Sequence, residues 1–242
     1  EKFAIHIPYQ YSAYKLYVNN DLIASNGTVG TDADTHKSEM APRTAYFTPD
    51  INEFMLTMQL SSFEHIRGGF ENSILIGESK VLTDIRDSNM IVSTFINGFI
   101  FIIGIFMVLF ALYRRKEYLF LIFGIFSILI SIRSFFTVPF YYTILFPNMS
   151  WVWGTRWEYV LTLASSLFFI LLMWKWHEKQ FSKILLYFLT LLHVSLIIVT
   201  FFTQPVVFQN LFFKSFYLAI PVFLYFIYLL SNSLRENNKT AR

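Results

Sequence analysis

Five long apolar runs fill the sequence from Met90 onward, and they constrain the fold more than any other feature. These runs are Met90–Tyr113, Tyr118–Thr137, Trp157–Trp174, Ile184–Thr203 and Leu211–Leu230. A helix of roughly 20 apolar residues is long enough to cross a bilayer core of about 30 Å. With 55% apolar residues and 29 Phe, the chain carries more apolar side chains than a soluble domain of its length normally buries. We therefore predict a helical membrane bundle of five spans over residues 90–234.

Basic residues lie at alternate ends of these runs. Nine of them follow the first, third and fifth runs: Arg114, Arg115, Lys116, Lys175, Lys179, Lys183, Arg235, Lys239 and Arg242. The loops 138–155 and 204–210 contain no Lys or Arg. Because Lys and Arg accumulate in cytoplasmic loops, this pattern predicts a multi-pass protein of the plasma membrane. Residues 1–89 are expected outside, and residues 235–242 form a short cytoplasmic segment.

Aromatic residues cluster near the predicted ends of the spans. Five lie towards the predicted outer side: Tyr141, Tyr142, Trp151, Trp153 and Trp157. Trp174 and Trp176 lie towards the inner side. Because Tyr and Trp favour the boundary between lipid and water, these residues are expected to lie at the two membrane surfaces.

Ionisable side chains within a span are costly, so their positions indicate a role. Arg133, Arg156, Glu158 and Lys214 all fall at the predicted outer ends of their spans and form a candidate coupling layer. Pairing of Arg133 with Glu158 would offset the desolvation of both charges. The alternative is that this pair is only a structural clasp and that the other two cations reach the lipid headgroups. His193, in the middle of the fourth run, is expected to pack or hydrogen-bond, with a proton relay as the alternative.

Residues 1–89 alternate between apolar and polar positions, which is typical of half-buried strands. The predicted strands are Phe3–Pro8, Tyr14–Asn19, Leu22–Ser25, Thr28–Gly30, Phe54–Ser61 and Ser73–Gly77, with a long loop over Thr31–Pro42. Turn signals separate them at Asn19-Asn20-Asp21 and Ser25-Asn26-Gly27. Several short strands with such turns predict an extracytoplasmic β-sandwich.

Sequence motifs for catalysis or metal binding are not found in the outer module. His36 and His65 lack the spacing of metal ligands, and no cysteine is present. Tyr9, Tyr11 and Tyr14 are a candidate ligand face, although aromatic residues at strand spacing are commonly core residues. We expect no catalytic site, no cofactor and no nucleic-acid partner, so the chain is not expected to be an enzyme.

The segments YSAYKLYVNNDLIASNGTVG, PRTAYFTP, MLTMQLSSFEHIRGG and ILIGES resemble the outer region of bacterial seven-transmembrane receptors with diverse intracellular signalling modules. The segments ALYRRKEYLFLIFGIFSILISIRSFF and TRWEYVLTLASSLFFI resemble the membrane half of the same family. The resemblance implies a galactose-binding-like jelly roll, partial here, followed by five of seven helices. It also implies a small ligand, such as a carbohydrate, and a cytoplasmic output module. A histidine kinase is the first expectation for that module, through which the parent would form a homodimer.

The chain is thus expected to be a receptor fragment that couples an unknown small extracytoplasmic ligand to an output module. Two alternatives remain, a transporter and a membrane-anchored sugar-binding envelope protein. Transporters commonly contain inverted repeats and polar sites at the bilayer midplane. No internal repeat is evident here, and His193 is the only ionisable residue at midplane depth.

Overall fold

The computed structural model describes residues 2–49, 53–70, 72–115 and 117–240, with side chains described up to Arg235. The chain divides into two compact units. The first combines Glu1–Phe99 with Arg133–Glu158, and the second combines Ile100–Ile132 with Tyr159–Arg242. The segment that joins the second and third predicted spans therefore belongs to the same unit as the N-terminal module.

Six strands form two three-stranded antiparallel sheets in the described part of the first unit. They are β1 (Phe3–Ile7), β2 (Ala13–Val18), β3 (Asp21–Asn26), β4 (Arg43–Phe47), β5 (Leu56–Ser61) and β6 (Leu75–Glu78). The first sheet has the order β4-β1-β6, and the second has the order β3-β2-β5. An N-terminal β-domain is therefore present, as the alternating pattern predicted.

The two sheets share one hydrophobic core. Ile5 and Ile7 of β1 pack in the same buried cluster as Tyr14, Leu16 and Val18 of β2. Side chains on a strand alternate between its two faces, so every second residue of β1 and of β2 reaches this core. The opposite face of β1 carries His6, which lies across from Thr44 in the register of β1 and β4.

The turn between β2 and β3 lies where the sequence predicted it. Val18 pairs with Asp21, which leaves Asn19 and Asn20 as a two-residue turn. Asn19 has a φ of 54°, and Asn is one of the few residues that tolerates this left-handed conformation. Its side-chain oxygen accepts a hydrogen bond from the backbone N–H of Met55, which ties the turn to the segment before β5.

Two strand assignments differ from the sequence-based expectation. Thr28–Gly30 is not a strand, because its pairing is limited to a single bridge between Thr28 and Lys37 across the loop. The strand β4 was missed altogether. It is an edge strand in which only Ala45 is buried. Its sequence therefore lacks the apolar alternation that identifies a half-buried strand.

Among the described residues, six helices follow the last strand. They are α1 (Ser79–Tyr113), α2 (Tyr118–Ser134), α3 (Tyr142–Leu145), α4 (Trp151–Trp176), α5 (Lys183–Phe202) and α6 (Pro205–Thr240). The third and fifth predicted spans lie inside longer helices, since α4 begins at Trp151 and α6 at Pro205. Pro221 is accommodated inside α6.

Four helices are long and apolar enough to cross a membrane among the residues described: α1, α4, α5 and residues 205–235 of α6. The chain therefore has a helical membrane region after its β-domain. The second predicted span corresponds to α2, which is apolar but ends after 17 residues at Ser134 rather than continuing to Thr137. Its passage through the membrane stays a prediction.

Small residues allow α1 and α2 to approach closely in the second unit. A Cβ atom added at Gly104 would lie 3.0 Å from the carbonyl oxygen of Gly124, and one added at Gly124 would lie 2.8 Å from the carbonyl oxygen of Gly104. Helices in lipid commonly associate through such small residues, because backbones can then make close van der Waals contact. The helices α4, α5 and α6 instead share an apolar cluster that includes Ile170, Leu189 and Leu229.

Candidate ligand and coupling site

Two segments that flank membrane helices pack with the β-domain in the first unit. One is the stem, defined as residues 79–99 of α1, and the other is the connecting segment, residues 135–150. The Tyr46 hydroxyl of β4 lies 3.1 Å from the Thr83 hydroxyl of the stem. The Tyr141 hydroxyl of the connecting segment donates to the carbonyl oxygen of Met90 at 2.9 Å and lies 2.8 Å from the Thr94 hydroxyl. The stem is thus held by contacts with β4 and with the connecting segment.

A buried cluster joins the connecting segment to the β-domain. Met40, Phe140, Tyr142 and Trp151 form its centre, with Tyr9 and Tyr11 among the residues packed against it. Tyr142 and Trp151 were predicted to lie at the membrane surface, but both are buried in protein contacts. Burial and the nearby carboxylates of Glu158 and Glu39 raise the pKa of Tyr142, so its phenol keeps its proton.

The three tyrosines of the predicted ligand face do not share one exposed surface. Tyr14 is 0% exposed and belongs to the core between the sheets. Tyr9 packs edge-on against Phe140, with ring centroids 5.1 Å apart, and Tyr11 stacks on His65 at 4.2 Å. Tyr14 is therefore a core residue, while Tyr9 and Tyr11 attach the β-domain to neighbouring loops.

A series of polar contacts connects the long loop, residues 31–42, with the first turn of α4. The Glu64 carboxylate accepts hydrogen bonds from the Ser38 backbone N–H and from the Trp151 indole N–H, both at 3.1 Å. His36 Nδ1 lies 2.7 Å from the Ser61 hydroxyl, and His36 Nε2 lies 2.7 Å from the Ser38 hydroxyl. Glu64 therefore fixes Trp151 relative to β5 and the long loop.

His65 follows Glu64 in sequence and lies mostly inside the protein. Burial lowers the pKa of His65 to about 4, although a hydrogen bond with the Arg67 carbonyl acts in the opposite direction. The imidazole is therefore uncharged at neutral pH, which suits its stacking on the Tyr11 ring.

A cleft of about 600 Å³ lies between the β-domain, the stem and the connecting segment. Its polar lining comes from His6, Thr44, Arg86, Asp87, Asn89, Ser93 and Thr143, and its apolar lining from Pro8, Tyr9, Pro42, Met90, Val138, Pro139 and Ile144. His6 Nδ1 lies 3.0 Å from the Thr44 hydroxyl, so these two side chains face the stem together. Burial, followed by the charge of Arg86, lowers the pKa of His6.

Three of the four residues in the predicted coupling layer belong to the first unit, and Lys214 belongs to the second. An electrostatic interaction connects Glu158 with Arg133. The Arg156 guanidinium lies over the Trp153 ring, 5.0 Å from its centroid, in a cation–π contact. A coupling role for these residues stays a prediction.

His193 is held by two hydrogen bonds within the second unit. Its Nδ1 lies 2.7 Å from the Leu189 carbonyl oxygen, which can only accept, so Nδ1 carries the proton. Its Nε2 then accepts from the Ser166 hydroxyl at 3.0 Å. This arrangement fits the expected hydrogen-bonding role. His193 and Ser166 also line an apolar cavity of about 270 Å³.

The described residues hold no group of three His, Asp or Glu side chains that could bind a metal ion. Sequence reasoning missed Glu64, Arg86 and the stem as parts of a site. The available signal was the density of Phe, Tyr and Trp in residues 135–157, a stretch with no Lys or Arg before residue 156. No protein-family model matches the chain, and neither the curated proteins nor the solved structures contain a match.

Proposed function

We propose that the chain is the sensory part of a transmembrane receptor, in which the β-domain binds a small ligand and the helices carry the response across the membrane. The observation that carries this proposal is the packing of the stem and the connecting segment with the two sheets in one unit. Helix α1 continues without a break from the stem into residues 100–113 of the second unit, and α4 continues from Trp151 to Trp176. A ligand that repositions either segment would therefore act directly on a membrane helix.

The response depends on a difference in affinity between two conformations. A ligand that binds one conformation about 100-fold more tightly supplies about 2.7 kcal/mol towards it. A ligand with equal affinity for both would shift nothing. We propose that the contacts of Glu64 with Trp151 and of Tyr141 with the stem differ between two such conformations, since each joins two separate segments of the chain.

The finer parts of the proposal rest on the sequence resemblance and on the charge pattern. We propose that the β-domain is of the galactose-binding jelly-roll type and that it lies outside the plasma membrane. The output module is proposed to be a histidine kinase that forms a homodimer. The absence of Lys and Arg from loops 138–155 and 204–210 supports the orientation.

Thiol labelling tests the orientation without background, because the sequence contains no cysteine. Ser25→Cys and Lys179→Cys each introduce one thiol at an exposed position. In intact spheroplasts, a membrane-impermeant maleimide is expected to label Cys at position 25 at once and at position 179 only after permeabilisation. Labelling of both from the same side would overturn the receptor assignment.

A fluorophore on Lys179→Cys tests the coupling in nanodiscs. A ligand that binds the β-domain is expected to change its emission, and Glu64→Ala or Arg133→Leu is expected to reduce this response at least fivefold while binding is retained. The control Glu53→Ala removes an exposed carboxylate and should leave the response unchanged. Full responses in both test variants would contradict the coupling role. Uptake of the ligand into proteoliposomes would favour a transporter instead.

A further inference from the structure

We infer that the cleft between the β-domain, the stem and the connecting segment binds a small zwitterion with an apolar tail, of the α-amino-acid class. This inference rests on the proposed function, since it names the ligand class of the proposed receptor. The cleft is built by three separate parts of the chain, which are β1 with β4, the stem, and residues 138–144. Its volume of about 600 Å³ falls within the range of about 300–1,000 Å³ that small-molecule sites occupy.

The charged groups of the cleft are one cation and one anion, side by side. Arg86 Nη2 lies 2.8 Å from Asp87 Oδ1, and Arg86 Nε donates to the same oxygen at 2.9 Å. Because their charges cancel, the pair offers no net attraction to a simple anion or a simple cation. A zwitterion can place its carboxylate on the Arg86 guanidinium and its ammonium on the Asp87 carboxylate, so that neither charge is left unpaired.

Opening the Arg86–Asp87 pair costs little. The two side chains are 37% and 51% exposed, and ion pairs at such positions contribute little to stability because water screens them. A ligand that replaces this contact with two new pairs, one to each residue, gains two sets of charge-assisted hydrogen bonds for the one that it breaks. The Arg fork also matches a carboxylate with two parallel hydrogen bonds.

Uncharged polar groups stand next to this pair. The His6 ring bonds Thr44 through Nδ1, so Nε2 is the ring nitrogen left for a ligand. Burial, and then the charge of Arg86, favour the neutral form of this imidazole, which keeps the cleft from gaining a second cation. Asn89, Ser93 and Thr143 supply further amide and hydroxyl groups to the lining. These groups can orient an ammonium and a carboxylate without adding net charge.

The apolar part of the cleft suits an aliphatic side chain. It is formed by Pro8, Pro42, Pro139, Val138 and Ile144, together with Met90 and the ring of Tyr9. Three of these residues are prolines, whose fixed backbone gives a preformed wall that loses little conformational freedom on binding. The combination of an ion pair at one wall and aliphatic surface at another favours a branched-chain amino acid over a sugar.

The experiment measures binding of L-leucine to the complete chain in nanodiscs by calorimetry, with three analogues that each lack part of its chemistry. 4-Methylpentanoate has no ammonium, 3-methylbutylamine has no carboxylate, and glucose is polar without charge. L-Leucine, or another aliphatic amino acid titrated in the same way, is expected to bind. The three analogues are expected to bind at least tenfold more weakly. Equal or tighter binding of glucose or of a single-charge analogue would overturn the ligand class.

Charge-removing variants locate the site. Arg86→Gln and Asp87→Asn are each expected to weaken amino-acid binding at least tenfold. Lys80→Gln and Asp84→Asn make the same two changes at exposed positions of the stem outside the cleft lining and should bind normally. An unchanged thermal unfolding temperature in all four variants separates lost binding from lost folding. Normal binding by Arg86→Gln and Asp87→Asn, or no binding of any aliphatic amino acid, would overturn the inference.

The two proposals fail in different ways. Amino-acid binding that depends on Arg86 and Asp87 but leaves the fluorophore at position 179 unchanged supports the site and contradicts the receptor function. A fluorescence response to glucose, with no amino-acid binding, supports the receptor function and contradicts this ligand class.

Discussion

The two units of the chain differ in the interactions that stabilise each of them internally. In the first unit, hydrogen bonds fix particular side chains across long stretches of sequence, as between Glu64 and Trp151. In the second unit, the helices meet mainly through one apolar cluster and through the close approach of Gly104 and Gly124. Lipid gives little hydrophobic advantage to helix association, so such packing depends on shape. In the receptor proposed above, chemical recognition would belong to the first unit and transmission of the response to the second.

The largest expected effect is the difference in stability loss between a substitution in the β-domain core and the same substitution on the exposed face of a membrane helix. Leu16→Ala removes a side chain that is 1% exposed and should lower the free energy of unfolding of the β-domain by about 3 kcal/mol, because a cavity is left behind. Leu191→Ala makes the same change on α5, where the side chain is 70% exposed, and should change stability little. Chemical denaturation in detergent, followed by circular dichroism, measures both. Equal losses would contradict the contrast.

A second prediction concerns the close approach of α4 to the connecting segment. A Cβ atom at Gly154 would lie within 3.0 Å of the Tyr142 ring, so Gly154→Ala should cost about 2 kcal/mol through overpacking. Gly98→Ala is the matched control, since a Cβ atom there meets nothing within 4 Å. It should be neutral or slightly stabilising, because Ala favours the helix. The unfolding temperatures of the two variants decide the matter, and a neutral Gly154→Ala would show that Tyr142 can move aside.

A third prediction is a dependence of β-domain stability on pH. The folded pKa of His65, about 4, lies below its ordinary value of 6.5, so the unfolded chain binds the proton more readily in this range. The contribution of His65 to the free energy of unfolding should therefore be constant above about pH 6.5 and fall by about 1 kcal/mol per pH unit between there and about pH 4. The half-buried His6, whose pKa is also lowered, acts in the same direction.

His65→Phe provides the control for this pH dependence, because it keeps an aromatic ring for stacking on Tyr11. Its unfolding free energy, measured by denaturant titration between pH 7 and pH 5, should fall with a smaller slope than that of the parent chain. Identical slopes would assign the acid sensitivity to other groups.

The smallest expected effect tests a hydrogen bond within the second unit. Ser166→Ala removes the donor to His193 and should cost about 0.6 kcal/mol, the average for hydrogen bonds between membrane helices. Ser195→Ala removes a hydroxyl that bonds Leu192 on its own helix and should cost less. Unfolding in mixed micelles measures both. A loss several times larger for Ser166 would indicate that the second unit also depends on directional bonds.

Local patterns in the sequence predicted a large part of the fold. Apolar runs located α1, α4, α5 and α6, and alternation located β1, because each signal lies within one element. The edge strand β4 gave no such signal. The burial of Tyr142 and Trp151 could not be predicted either, since aromatic residues near a span are equally suited to the membrane surface.

The candidate site was harder to predict than the fold. Glu64 and Trp151 are separated by 87 residues, and no local pattern relates them. Arg86 and Asp87 lie in a polar stretch before the first apolar run, where neighbouring charges normally indicate a solvated surface. Only the packing of the stem against β1 and β4 shows that these two side chains line a cleft.

The connecting segment has a practical consequence for work on the β-domain. A soluble fragment cut at the first membrane helix would lack Phe140, Tyr142 and Trp151, which cover Met40 and Tyr9 in the complete chain. Such a fragment would expose an apolar patch to water and should self-associate. Grafting residues 135–155 onto it through a short flexible linker should restore these contacts, and the fragment should then behave as a monomer.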